Sequence, residues 1–282
     1  MTPAAMTTGG PPARLHGRRA AARRVLALAR RNAYVLWRSP HRLFDVSVWP
    51  LVDAVLFGSL GVFFARAAGG AARQGAAYLL AGIVLWHVVY QAQIAVATGF
   101  LEETWTRNLL NLMVTPLSEV EYVLGVALFG LVKLVMGVVV IGLAAFGLYA
   151  FDVTRLGVGL LPVVLVLLVA GWAVALFVIA LVLRFGTGAE ALAWGILFVV
   201  MPLSGVFYPV QALPWLLRPV ANLLPTTHAF AVGRGLVAGE GLRWGELGVA
   251  ALTTVLVSAA ALAFLARMLR LFRRRGYITR YT

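Results

Sequence analysis

The sequence predicts an all-α, polytopic membrane protein with six transmembrane helices, and three observations lead to that fold class. Hydrophobic residues make up 62% of the 282 residues and charged residues only 12%, whereas soluble domains carry roughly 45–50% apolar and about 25% charged residues. Six separate apolar stretches are long enough to cross a bilayer. The net charge of +14 is concentrated in arginines near the two ends of the chain. This composition excludes an ordinary soluble enzyme and a disordered chain.

The first 42 residues are predicted to form a cytoplasmic N-terminal tail. They hold nine of the 24 basic residues and no apolar region of the kind that a signal peptide needs. Over residues 23–38 the arginines fall on one face of a helical wheel and the aliphatic residues on the opposite face. This pattern is typical of an amphipathic helix that lies in the membrane interface, where each arginine near anionic lipids contributes about 1 kcal/mol. Docking on a partner protein is the alternative, and Ser39-Pro40 is expected to end the helix.

A bilayer core of about 30 Å is crossed by about 20 helical residues, and this length defines the predicted spans. They cover residues 43–64, 76–100, 122–149, 157–183, 190–208 and 246–266. Together they form a transmembrane domain over residues 43–268, followed by a basic C-terminal tail over residues 269–282.

The arginine distribution predicts the orientation of the chain. Because six is an even number and cytoplasmic ends collect basic residues, both termini are predicted to be cytoplasmic. Arginine-rich tails also occur in nucleic-acid-binding proteins, but topology and lipid contacts explain them better in so apolar a chain, and no nucleic-acid partner is expected. All but one of the basic residues are arginine, a bias typical of GC-rich bacterial genomes. The expected location is therefore the bacterial plasma (inner) membrane.

The loop over residues 101–118 is the first candidate functional segment. Leucines and a tryptophan recur on one face at helical spacing, and Glu103 with Arg107 forms an i,i+4 pair on the polar face. A short, charged, amphipathic cytoplasmic helix is a plausible docking surface for a soluble partner, although a solvated loop helix with no partner has the same pattern. The candidate docking residues are Glu102, Glu103, Trp105, Arg107 and Asn108.

The stretch over residues 202–241 is the second candidate. It contains five prolines between Pro202 and Pro225, so no single helix runs through it. Non-helical backbone at membrane depth needs cover from protein or water, which predicts short re-entrant helices on the external side after the fifth span. An external gate and a structural cap over the bundle are equally compatible with the pattern. The candidate gate residues are Phe207, Tyr208, Pro209, Pro214 and His228.

Charged residues inside the predicted spans are the third candidate. A charge at the bilayer centre costs about 2.5–3.5 kcal/mol, so such residues usually face partners or a water path. Asp53 in the first span and Lys133 in the third are a conceivable pair, whereas Glu121 lies at a span end, where reaching water is expected. His87 is interpreted as a hydrogen-bonded packing residue.

No nucleotide-binding, metal-binding or nucleophile motif is present. A phosphate-binding loop needs Gly-x-x-x-x-Gly-Lys-Ser/Thr, and the single lysine, Lys133, follows a valine. The chain also lacks cysteine, which excludes a disulfide framework or a Cys-ligated zinc site. If the protein uses ATP, another polypeptide must bind it, so no cofactor is expected on this chain and the chain is not expected to be an enzyme.

The order of these features resembles the membrane (permease) subunit of a type-2 ATP-binding-cassette exporter. The residues that carry the resemblance are RNLLNLMVTPLS at 107–118, SGVFYPVQALP at 204–214 and LLPTTH at 223–228. The resemblance implies a homodimer of six-span subunits with two separate cytoplasmic ATPase subunits, and it implies that the 101–118 loop acts as a coupling helix. It also implies export of an amphiphilic drug-like, lipid-linked or glycan cargo.

Two other functions remain open from the residues. A proton-coupled secondary transporter would need inverted repeats and ionisable groups at the midplane, for which Asp53 and Lys133 are the central candidates. A membrane scaffold would explain the amphipathic ends but gives the docking loop less to do.

Overall fold

The computed structural model describes residues 17–67, 69, 72–105, 117–152, 157–189 and 191–275. Within these residues the chain is all-helical, with 86% helix and no strands, which confirms the all-α class. The six spans, the interface position of the N-terminal helix and the re-entrant helices stay predictions. The α-helices are α1 Arg18–Trp37, α2 Pro40–Ala67, α3 Ala72–Trp105, α4 Glu119–Tyr149, α5 Leu160–Phe185, α6 Leu192–Leu203, α7 Arg218–Leu223, α8 Pro225–Val237 and α9 Trp244–Arg275. Two 3₁₀ turns, Gly186–Ala189 and Val210–Ala212, lie beside α6.

Five of the described helices are long and apolar enough to cross a membrane, namely α2, α3, α4, α5 and α9. The predicted fifth span, residues 190–208, is wrong in length, because α6 has only 12 residues. At 1.5 Å per residue it extends about 18 Å, well short of a bilayer core of about 30 Å. The helix ends where Ser204 donates its hydroxyl to the Val200 carbonyl at 2.7 Å and Gly205 takes a left-handed φ of +62°.

The helix α3 is the centre of the bundle. In its most apolar 18-residue window 89% of the residues are buried, against 22% in α2 and 17% in α9. The outer faces of the surrounding helices carry large exposed apolar side chains, such as Phe63, Leu143 and Val255. Contiguous apolar surface of this extent is unfavourable in water, so it fits a protein that spans a membrane.

The helices α2 to α5 alternate in direction, α9 runs parallel to α5, and both ends of the described chain lie on one side of the bundle. Arg42 at the start of α2 contacts Glu102 near the end of α3. The helices α2 and α3 are therefore antiparallel. At the far end of α9, Leu265 packs against a buried cluster that also contains Leu28 of α1. We call this end of the bundle the α1 side, and the end that carries α7 and α8 the opposite side.

Small residues allow two close helix contacts. A Cβ added at Gly171 of α5 would lie 2.7 Å from the Val89 carbonyl oxygen of α3, so the backbones of these helices nearly touch. A Cβ added at Gly58 of α2 would overlap the ring of Tyr149, whose hydroxyl also bonds to Ser59 at 2.8 Å. Small residues on α2 therefore serve a contact within the chain.

Candidate functional site

Three ion pairs gather at the α1 side of the bundle and form the candidate site. Arg24 of α1 binds both carboxylate oxygens of Glu121 at 2.6 and 2.9 Å. Arg31, two turns further along α1, pairs with Glu103. The Nη1 atom of Arg42, two residues into α2, lies 3.0 Å from the carboxylate of Glu102. The pairs join α1 and the start of α2 to the end of α3 and the start of α4.

The carboxylate of Glu121 has two structural roles at once. Ser118 is the N-cap of α4, its Oγ accepts the Glu121 amide hydrogen at 3.2 Å, and the Glu121 side chain accepts the Ser118 amide hydrogen at 3.0 Å. This capping box fixes the carboxylate at the helix start, in position for the guanidinium of Arg24. The hydrogen bond from Arg24 to Glu121 raises the pKa of that guanidinium. The expectation that Glu121 reaches water is therefore wrong, since it pairs with α1.

The predicted docking loop begins later than expected, because α3 continues through Trp105. Glu102 and Glu103 are helical residues of the last turns of α3, and Glu103 is only 5% exposed. The side chain of Trp105, and all of Arg107 and Asn108, lie outside the described residues. The structure thus pairs Glu103 with Arg31, and the predicted contact between Glu103 and Arg107 stays a prediction.

The structure also places the two faces of α1 differently from the helical-wheel interpretation. Leu28, Ala29 and Leu36 of its aliphatic face are buried against the bundle. Two arginines at the edge of the polar face, Arg24 and Arg31, turn toward the same bundle to reach their carboxylates. These two arginines and Arg42 were missed as site residues. The sequence carried two signals for these residues. Arg24, Leu28 and Arg31 recur at helical spacing on one face, and acidic residues that could pair with the arginines lie at the ends of two predicted spans.

A cavity of about 770 Å³ lies directly beneath the ion pairs, between α1, α2, α3 and α4, with Trp194 of α6 also in its lining. Its α1 end is lined by the Arg31–Glu103 and Arg42–Glu102 pairs, and Lys133 lines it from α4. Lys133 follows Glu121 by 12 residues, or about 18 Å along the helix, so the cavity extends far into the apolar part of the bundle.

Asp53 has a different neighbour among the described residues. Its Oδ2 lies 3.7 Å from the Nδ1 of His87 on α3, and the His87 side chain is almost completely buried. This distance is too long for a hydrogen bond, so the interpretation of His87 as a hydrogen-bonded residue is not supported by this contact. The pairing of Asp53 with Lys133 stays a prediction.

The residues predicted as an external gate lie together on the opposite side. Phe207 stacks on Phe57 of α2 with ring centroids 4.3 Å apart, and the hydroxyl of Tyr208 donates to the Pro202 carbonyl at 2.8 Å. His228 on α8 lies 2.8 Å from Glu246 of α9 and 2.9 Å from the Asn222 carbonyl. Pro209 precedes the turn Val210–Ala212, and Pro214 follows it.

Further polar contacts within this proline-rich segment hold its parts together. Ser204 and Thr226, both buried, are 2.6 Å apart. Arg234 of α8 donates to the Gly205 carbonyl, and burial lowers the pKa of its guanidinium. Such contacts fit a structural cap, while a gating role of Phe207 and its neighbours stays a prediction.

A family model described as "ABC-2 family transporter protein" matches residues 65–267, a range that includes the end of α2, all of α3 to α8 and most of α9. No curated protein matches the sequence.

Proposed function

The chain belongs to the ABC-2 transporter family, and from this premise we propose that it is the membrane subunit of an ATP-driven exporter. Members of this family are transmembrane permease subunits. A separate cytoplasmic ATP-binding-cassette ATPase, with its own ATP and Mg²⁺, supplies the energy. The cargo is an amphiphilic drug-like, lipid-linked or glycan molecule, and it leaves across the bacterial inner membrane.

The observation that carries this proposal is the set of three ion pairs formed by residues at the end of α3 and at the start of α4. Glu102 and Glu103 precede residues 106–116, Glu121 follows them, and all three carboxylates bind arginines of α1 or of the start of α2. Glu103 and Glu121, on either side of the segment, both pair with arginines of α1. A push on the segment is therefore transmitted to the four helices α1, α2, α3 and α4 together. Residues 101–118, together with these three ion pairs, are the proposed site of coupling to the ATPase.

The proposed topology has six crossings, with α6 as a shortened fifth one. Gln93 of α3 donates to the Ala193 carbonyl at the start of α6 at 2.9 Å, and a Cβ at Gly82 would lie 2.6 Å from the Val206 carbonyl just after α6. These contacts support a path of α6 antiparallel to α3 toward the opposite side. The segment over residues 202–241 then forms the external re-entrant region.

The same topology makes the α1 side cytoplasmic, since arginines concentrate there. The described part of α9 ends on this side beyond Leu265, and Arg267 and Arg270 follow. The outer face of α1 would lie in the membrane interface, where Arg23, Arg30 and the exposed Trp37 suit lipid head groups and the acyl boundary. The exposed apolar face of α2 is the proposed homodimer contact.

Site-directed cross-linking tests the coupling proposal, and the natural absence of cysteine makes single-cysteine variants clean. With Asn108→Cys, we expect a cross-link to a co-purifying protein that contains a nucleotide-binding loop. The matched control is Gly241→Cys between α8 and α9, a position with open space around it, which should give none. Purification without any ATPase, or equal cross-linking from both positions, would contradict the proposal.

One observation favours a second candidate, proton-coupled transport. Asp53 and His87 are titratable groups 3.7 Å apart inside the helix bundle, which is the kind of contact that a proton pathway uses. The two candidates differ in their energy source, so export that stops when a protonophore is added, with ATP still present, would favour the second.

A further inference from the structure

The cavity beneath the ion pairs has the size and lining of a ligand site. Its volume of about 770 Å³ lies within the range of about 300–1,000 Å³ that is typical of small-molecule pockets. Residues of five helices, α1 to α4 and α6, line it, so it is not a surface groove of one helix. Neither the family match nor the coupling proposal assigns it a ligand.

The charges at the α1 end of the lining are equal in number, because Arg31 and Arg42 pair there with Glu103 and Glu102. The side chains of Arg42 and Glu102 are similarly exposed, whereas the other pair is asymmetric. The Arg31 side chain is 45% exposed while its partner Glu103 is only 7% exposed. Each guanidinium carries five N–H donors, and the ion pairs described above use one nitrogen of Arg31 and one of Arg42. Within the described part of the chain, donors of Arg31 and Arg42 therefore remain for an acidic oxygen at the α1 end of the cavity.

The walls below this end are apolar and aromatic. Trp49 of α2, Ile94 of α3 and Phe129 of α4 line the cavity from three directions. A molecule with its head at the arginines would place its body among these side chains and gain about 25 cal/mol for each Å² of apolar surface that it buries. A small inorganic anion has no body to fill this space.

We propose that this cavity binds one anionic amphiphile, with its acidic head group on Arg31 and Arg42 and its apolar body between Trp49 and Phe129. The inference deepens the proposed function, on which it rests in one respect: the bound molecule belongs to the chemical class of the cargo. The binding itself requires neither ATP nor the ATPase, so it is measured on the isolated chain.

The test measures binding of a fluorescent lysophosphatidate to the purified chain in neutral phosphatidylcholine nanodiscs. We expect about one molecule per chain. Unlabelled lysophosphatidate should displace it, whereas monoacylglycerol with the same acyl chain and inorganic phosphate alone should not. These two competitors separate the contributions of head and body, and phosphate also separates a lipid head group from a free anion.

Two substitutions that break the same ion pair distinguish ligand recognition from structural damage. Arg42→Gln should weaken binding at least tenfold, since it removes a cation from the head-group site. Glu102→Gln should leave binding unchanged or strengthen it, because it removes a competing anion. Arg38→Gln, outside the cavity lining, is the matched charge control and should change binding less than threefold. Arg42→Lys keeps the charge and should retain binding within about threefold.

Several results would overturn the proposal. Equal weakening by Arg42→Gln and Glu102→Gln would show that only the ion pair matters, and equal weakening by Arg42→Gln and Arg38→Gln would show general attraction to a basic surface. Displacement by monoacylglycerol or by phosphate as effectively as by lysophosphatidate would refute the ligand class. The competition series uses the natural chain, so it decides the matter even if a variant fails to fold. ATP-driven export with no such binding would refute this inference alone, whereas binding without any ATP-dependent export would refute the proposed function.

Discussion

The ion pair between Arg31 and Glu103 is expected to hold α1 against the bundle, and Arg31→Gln tests this directly. The substitution removes a cation from a carboxylate that is only 5% exposed. Hydrogen bonds to charged groups contribute about 1.5–3 kcal/mol. Because the Arg31 side chain is 45% exposed, water screens the pair, and the lower part of this range applies. We therefore expect undocking of α1 to become easier by about 1.5–2 kcal/mol, which is roughly a ten- to thirtyfold change in the opening equilibrium.

A single cysteine placed under α1 reports that opening. Leu28 is 6% exposed and faces the bundle, so Leu28→Cys reacts with a maleimide only when α1 leaves its site. Arg31→Gln should raise this rate by the factor given above, in detergent or in nanodiscs. The matched control, Arg30→Gln, removes a neighbouring exposed arginine of the same helix and should leave the rate within about twofold.

A double-mutant cycle decides whether the two residues act together. If they do, Glu103→Gln combined with Arg31→Gln should increase the rate by less than the product of the single effects. Multiplicative effects, or an equal effect of Arg30→Gln, would show that this ion pair does not hold α1 against the bundle.

Three further predictions concern packing, topology and buried charge. Gly171→Ala should lower the thermal unfolding temperature, since its Cβ would meet the Val89 carbonyl and overpacking costs about 1–3 kcal/mol. The control Gly147→Ala, at a position with open space around it, should not lower this temperature. Equal shifts in the two variants would contradict the close contact between α3 and α5. Reporter fusions at the two termini should both read cytoplasmic, and opposite readings would exclude six crossings. Reversing both Asp53 and Lys133 should recover more export than reversing either residue alone, whereas additive losses would show that they do not interact.

The long helices could be predicted because their signal is local. A run of about 20 apolar residues gives a membrane-crossing helix wherever it occurs, and five of the six predicted spans correspond to long helices. The end of α3 was less predictable, since Glu102 and Glu103 look like loop residues in an apolar context. In the fold their charges are compensated by arginines 60 and 72 positions away in the sequence, so the helix continues past them.

The end of α6 could not be predicted from hydropathy. Residues on both sides of Leu203 are apolar, and the helix stops because of Gly205 and because Ser204 contacts Thr226, 22 residues later. Likewise, the helical wheel identified the two faces of α1 but not the acceptors of its arginines. Arg24 and Glu121 are 97 residues apart, and only the folded bundle brings them together.

The proposed function requires that this permease obtain its energy from a separate ATPase through the segment between α3 and α4. The most direct test is ATP-driven uptake of a fluorescent amphiphile into inverted membrane vesicles, with and without the variant Glu103→Lys. We expect uptake that needs hydrolysable ATP and persists when a protonophore is present; Glu103→Lys should abolish uptake while ATP hydrolysis continues. Uptake by the purified chain alone on an ion gradient, with no nucleotide and no ATPase, would contradict coupling to an ATPase.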